Sequence, residues 1–417
     1  MTVAATAVSL ADDHPRRWRT LALIATAELL GMSLWFAGTA VAPQLGLRWA
    51  AVNAAGWLTT MVQFGFVCGT AGAALLNLAD LLPSRWYFAV SAVLASVANA
   101  SLLSADDFAC ALAGRFLTGF CLAGVYPPAM KMAATWFRTR RGVAIGTVVG
   151  ALTIGKATPY LVHAFPDAQP AAVVLTASVC ALVAAPLIAI FYRDGPYPFA
   201  PRPFSWNLVA QVVSGREWRL ATGGYLGHMF ELFSFWTWIP AFIAASFARS
   251  RVVEAGDQSL AFLLGFASIA IGGAGCVWGG FAADRRGRER LVMLAMAVSG
   301  SCALLVPLAF GRSLWLLAPL VLTWGFFVVA DSAQFSALVT ESVAPHAVGT
   351  ALTVQTSLGF LLTIVSIQLV PPIVSFIGWR WAFPVLALGP AAGILSIKRL
   401  RQVKRPSAAA TGVIPSP

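Results

Sequence analysis

Charge is scarce in this chain. Asp, Glu, Lys and Arg make up 11% of its 417 residues, 59% are hydrophobic, and the mean hydropathy is +0.79. That balance excludes a water-soluble globule and implies an integral membrane protein. The net charge of +12 would suit nucleic acid if the basic residues formed one face. They fall instead between apolar runs, so the lipid bilayer is the expected partner and nucleic acid is not. The six cysteines, at 68, 110, 121, 180, 276 and 302, lie within apolar segments and read as small hydrophobes, with neither a disulfide framework nor a metal cluster implied. Lysine is confined to Lys131, Lys156, Lys398 and Lys404, a bias toward Arg that a GC-rich bacterial genome produces, and hence an inner membrane is expected. No Gly-x-x-x-x-Gly-Lys-Ser/Thr phosphate loop, His-Glu-x-x-His or Gly-x-Ser-x-Gly occurs. ATP-driven transport by this chain alone and enzymatic activity are therefore not expected, nor is a cofactor or a metal. The polar stretch 1–20 carries Arg16, Arg17 and Arg19 ahead of a long apolar run with no small-residue cleavage site, so the first apolar segment is expected to be retained.

Crossing roughly 30 Å of hydrocarbon takes about 20 apolar residues. Twelve runs qualify, near 21–44, 57–79, 86–103, 108–130, 142–164, 171–192, 220–244, 260–283, 291–310, 314–339, 348–376 and 381–397. With both termini cytosolic, the outer loops keep only Arg48, Arg249, Arg251, Arg312 and Arg380, and the other basic residues gather on the inner side apart from Arg115 and Lys156 within spans. The stretch 193–219 contains Asp194-Gly195-Pro196-Tyr197-Pro198 and Ala200-Pro201-Arg202-Pro203, a turn-rich linker. The organisation expected is a cytosolic segment 1–20, a six-helix bundle 21–192, a cytosolic linker 193–219, a second six-helix bundle 220–397 and a cytosolic tail 398–417.

The two parts are in register. Asp284 follows Asp80 by 204 residues, and Glu231-Leu232 with Trp238 follows Glu28-Leu29 with Trp35 by 203. Arg141-Gly142-Val143-Ala144 has a looser counterpart in Val348-Gly349-Thr350-Ala351. Such an offset is the mark of a duplicated six-helix unit.

A charged hinge, Gly280-Phe281-Ala282-Ala283-Asp284-Arg285-Arg286-Gly287-Arg288-Glu289, interrupts the second half. It resembles the loop signature of the major facilitator superfamily, Gly-x-x-x-Asp-Arg/Lys-x-Gly-Arg/Lys-Arg/Lys, at every position but the last. The first-half copy keeps Asp80 and Arg85 but loses both glycines. Arg115-Phe116-Leu117-Thr118-Gly119 with Gly124, Pro127 and Pro128 resembles that family's fourth helix, and Gly378-Trp379-Arg380-Trp381 the start of its last. The resemblance implies an all-α membrane protein of twelve transmembrane helices in two pseudo-symmetric six-helix bundles. It also implies a solute site near the midplane between them, and a gating loop of Asp80, Arg85, Gly280, Asp284, Arg285, Gly287 and Arg288. Asp284 is expected to cap the following helix or to pair with a neighbouring Arg.

An ionisable side chain within a span costs about 2.5–3.5 kcal/mol at the helix centre, so each is a functional candidate. Glu28, Trp35 and Thr39 are spaced to share one stripe, and Glu231, Trp238 and Phe242 repeat it. His228, one turn before Glu231, is placed to share a proton with it; a purely structural pair is the competing reading. The resemblance to the family's fourth helix implies a link of Arg115 to proton movement or to a carboxylate on another helix, with Glu28 the partner expected here. Lys156 either attracts an anionic solute or snorkels to the outer interface. Tyr126, Asp331, Gln63 and Gln355, with Trp35 and Trp238, complete the solute-binding candidates, although amides also bridge membrane helices. The glycine runs Gly65, Gly69, Gly72 and Gly272, Gly273, Gly275 are expected at close helix contacts.

The function expected is a monomeric secondary active transporter moving a small polar or anionic solute by alternating access with proton coupling. Proton-driven efflux of drugs or organic cations is an alternative, as is a transporter-like receptor. Gly155-Lys156, with Pro159 displaced, departs from the drug-antiporter pattern. The Arg pair of nitrate porters is missing, and the general texture resembles the cyanate, nitrate and organic-anion members. The topology is open to test. In a cysteine-free background, Trp206→Cys is expected to escape an impermeant thiol reagent in intact cells and to label after permeabilisation. Labelling of intact cells would refute the twelve-span reading.

Overall fold

The computed structural model describes residues 16–51, 53–137, 140–165, 168–197, 205–250 and 258–410, and among these all regular structure is helical. Twelve helices are long and apolar enough to cross a membrane: α1 (Arg16–Arg48), α2 (Ala54–Leu75), α3 (Ser84–Ser104), α4 (Phe108–Ala134), α5 (Gly142–His163), α6 (Pro170–Phe191), α7 (Arg216–Arg249), α8 (Gln258–Arg286), α9 (Arg288–Ala309), α10 (Leu314–Glu341), α11 (Pro345–Ile377) and α12 (Trp379–Lys404). Each overlaps its expected run, because uninterrupted apolar length is what the bilayer demands. Helices α1–α6 and α7–α12 form the two bundles. Within the expected linker, Trp206–Ser214 form a nine-residue helix, too short to span a bilayer. The last helix continues to Ala410. The Asp80 side chain, residues 198–204 and Arg251 lie outside the described residues.

Three spans are broken, and the breaks shape the interior. In α1 the helix ends at Met32 and resumes at Ala37. Gly31 and Ser33 mark the break, and Ser33 Oγ lies 2.7 Å from Leu30 O and 3.1 Å from Ala177 O of α6, to which it donates. Helix α4 bends between Leu122 and Tyr126, and α10 breaks at Asp331. Trp35 therefore sits in a turn, so the regular helical spacing from which the Glu28, Trp35, Thr39 stripe is expected does not run through it. Thr39 bonds Thr59 of α2 at 2.6 Å. At the start of α4, Asp107 accepts the Cys110 N–H at 2.7 Å, and that bond holds its carboxyl below the usual range.

The bundles meet along α5 against α8 and α2 against α11. A Cβ on Gly150 would lie 2.9 Å from Gly273 O, and one on Gly146 would lie 3.0 Å from Cys276 O, so these glycines permit close backbone approach across the seam. On the side away from the described ends of the chain, Gln368 Nε2 donates to Thr60 Oγ1 at 2.9 Å. There His163 stacks on Phe262 with centroids 4.0 Å apart, and Trp238 covers Gly56. The glycines of α2 serve another contact: Gly65 and Gly69 face α4 within the same bundle, and Gly72 faces open space. Gly150→Val is thus expected to lower thermal stability in detergent by about 1–3 kcal/mol through overpacking. Gly72→Val is expected to stay within about 0.5 kcal/mol of the parent. Equal effects would contradict the assigned seam.

Candidate functional site

Near mid-length of their spans, side chains of both bundles converge on Lys156. Its Nζ lies 3.8 Å from the ring centroid of Trp35, 4.6 Å from Phe233 and 5.2 Å from Trp236. Such contacts strengthen when water is excluded, and Lys156 is only 2% exposed. The snorkelling reading is therefore corrected: the ammonium points inward. Rings continue the seam, with Trp35 and Phe66 from the first bundle against Phe360 at 5.7 and 4.6 Å, and Phe36 against Trp236 at 6.3 Å.

Beside the Lys156 ammonium the indole N–H groups of Trp35 and Trp236 lack hydrogen-bond partners, as do, in the protein interior, both Glu28 carboxylate oxygens, both amide atoms of Gln63, Gln355 Nε2 and Ser234 Oγ. Buried polar groups are nearly always paired, so these atoms make the Lys156 cluster a candidate site for a polar ligand. Tyr126 packs on Phe66 at 6.5 Å, and it and Tyr225 are half-buried.

Other expected pairings are replaced. His228 does not share a hydrogen bond with Glu231. Its Nδ1 lies 2.9 Å from Asp331 Oδ1, and its Nε2 lies 3.0 Å from Ser332 Oγ, both at the break of α10. Glu231 accepts from Ser299 Oγ and Trp324 Nε1, each at 2.8 Å. The two side chains leave α7 toward different neighbours, which one-turn spacing alone does not reveal. Arg115 does not meet Glu28 either. Its Nη1 donates to Asn99 Oδ1 at 2.6 Å, and Nη2 donates to the carbonyls of Leu34 and Trp35 at 3.1 and 2.5 Å. The guanidinium satisfies carbonyls that the α1 break turns aside, and so holds Trp35 in the seam. Trp238 donates to Ile367 O at 3.0 Å and closes the far side, away from the Lys156 cluster.

The hinge is a joint at the ends of helices. Gly287 turns at φ +84° between α8 and α9, and Gly280 abuts Gly142 O. The first residue before α9 is Gly287 and no side chain caps that helix, so Asp284 does not cap it. Arg288 pairs with Glu341 of α10, and Lys404 of α12 lies 3.8 Å from Glu289 and 3.6 Å from Glu341. Arg285 ends α8, and Arg85 stacks over Trp86 at 5.5 Å. The sequence reading missed Phe66, Phe233, Trp236 and Phe360, since apolar aromatics in an apolar span carry no signal of which face meets the other bundle. Among the described residues no His, Cys, Asp or Glu cluster could hold a metal.

Residues 20–367 match the family described as Major Facilitator Superfamily, and the chain belongs to that family. Similar solved structures include a bacterial homologue of the human lysosomal transporter Spinster, inward-facing and unoccupied, at 13% identity and TM-score 0.64 over 93% of this chain and 94% of that one. A mutant of the nucleoside transporter NupG aligns at 14% identity and TM-score 0.69, covering 91% and 99%. The transporter FucP, in an outward conformation, aligns at 14% identity and TM-score 0.65, covering 94% and 99%. At these identities the likeness is one of fold. No curated protein matches the sequence significantly. Family membership makes this chain a multi-pass membrane protein of a class that transports solutes by alternating access.

If Arg115 positions the α1 break, Arg115→Met leaves Asn99 and two buried carbonyls short of donors, each costing about 1–3 kcal/mol. A marked fall in unfolding temperature is expected, with the pH profile of residual transport unchanged. A stable variant with a shifted profile would identify Arg115 as a proton carrier instead.

Proposed function

We propose that this chain is a proton-coupled secondary transporter for a small polar or anionic solute, working as a monomer in a bacterial inner membrane with both termini cytosolic. The observation that carries the reading is the buried Lys156 ammonium seated among rings of both bundles, with the indole N–H groups of Trp35 from one bundle and Trp236 from the other left without partners. A site between bundles that rock against each other is reached from one side at a time. The far side is closed by Trp238, the Gln368 to Thr60 bond and the His163 and Phe262 stack. Access is then from the side of Tyr126 and Tyr225, which the basic loops identify with the cytosol.

Glu28 takes the coupling role. Both of its buried oxygens lack a hydrogen-bond partner, whereas those of Glu231 are engaged by Ser299 and Trp324 within the second bundle. A proton on Glu28 frees Lys156 for an anion, and its release restores the opposed charges. The buried His228 and Asp331 pair, set at the α10 break, is a second candidate for the proton. The organic-cation alternative is disfavoured because the aromatic cage already holds an ammonium.

Glu28→Gln keeps shape and removes titration. In reconstituted vesicles it is expected to abolish accumulation driven by an imposed pH difference while counterflow exchange persists. Continued uphill accumulation by the variant would move the coupling role to His228 and Asp331.

A further inference from the structure

The geometry points to a monocarboxylate bearing an aromatic ring as the solute, a proposal that rests on reading the Lys156 cluster as the solute site. Two features together narrow the class. The first is the balance of unused hydrogen-bonding capacity. Beside the Lys156 ammonium the unused groups are the indole N–H donors of Trp35 and Trp236. Ammonium and indoles together make a donor set suited to one carboxylate. It is poorly suited to a phosphate or sulfate. Those anions are strongly hydrated and call for guanidinium forks, and the one guanidinium nearby, Arg115, spends Nη1 and Nη2 on Asn99, Leu34 and Trp35.

The second feature is the wall. Trp35 and Phe66 of the first bundle face Phe233 and Phe360 of the second, with Trp35 at 5.9 Å from Phe233 and Phe66 at 4.6 Å from Phe360. These ring contacts run across the seam, so they must part whenever the bundles separate. A flat ring entering the gap takes over both faces, restoring edge and face contacts that separation removes. A small aliphatic acid cannot span them. An organic cation meets the Lys156 ammonium already seated among the rings. The carboxylate end meets Lys156 and the indole N–H groups, and the ring fills the parted aromatic walls.

The test is ligand-induced thermal stabilisation and calorimetric titration of the purified full chain with benzoate, phenylacetate, acetate, phosphate and benzylamine. Benzoate and phenylacetate are expected to bind. Lys156→Gln is expected to weaken them at least about tenfold, and Trp236→Leu to weaken benzoate roughly tenfold while sparing any acetate binding. If acetate or phosphate binds as tightly as benzoate and depends on Lys156, the aromatic class is overturned while the anion site stands. If benzylamine alone binds, both readings fall. Benzoate binding that ignores Lys156→Gln also overturns the proposal. Should Lys156→Gln not fold, Trp236→Leu decides: unchanged benzoate affinity refutes the aromatic wall.

Discussion

A lysine ammonium buried among aromatic rings at the seam of two helix bundles is the constraint on which this structure turns. Taking that charge out of water is costly unless something replaces its hydration. Here the faces of Trp35, Phe233 and Trp236 do so, and two of those rings belong to the opposite bundle. Holding the cation and closing the seam are thus one event. Any motion that parts the bundles removes ring faces from Lys156, and something else must then meet its charge. A site with that property is coupled to opening by its construction.

The surrounding structure serves to keep Trp35 in place. The break in α1 turns its ring into the seam, and Arg115, buried between α1, α3 and α4, satisfies the carbonyls at the break. Close glycine contacts between α5 and α8 bring Lys156 within reach of the second bundle. At the helix ends, Arg288, Glu341, Glu289 and Lys404 link α9, α10 and α12. Exposed pairs of this kind contribute little stability individually, which suits a joint that must exchange partners.

Much of the fold was legible in the sequence because the bilayer imposes length and polarity rules that leave little freedom: the spans, the duplication and the charged hinge are all one-dimensional patterns. Candidates for the site were legible for the same reason, since Glu28, Lys156, Gln63 and Gln355 stand out against an apolar background. Pairings were not. His228 and Glu231 are one turn apart, yet the packing of α9 and α10 sends one to Asp331 and the other to Ser299 and Trp324. Arg115 was assigned to Glu28 because the α1 break, made at Gly31 and Ser33 without a proline, leaves only a faint trace in sequence. The aromatic walls were invisible because Phe66, Phe233 and Phe360 look like any lipid-facing residue until the two bundles are set together.

The central claim is that the bundles separate at the far side to complete each cycle. The pair Thr60 and Gln368 bridges that side directly. In a cysteine-free background, Thr60→Cys with Gln368→Cys, joined by a short cleavable thiol cross-linker, is predicted to stop transport and to recover it on cleavage. Solute binding from the side of Tyr126 should persist throughout. Undiminished transport by the fully cross-linked protein would contradict the account.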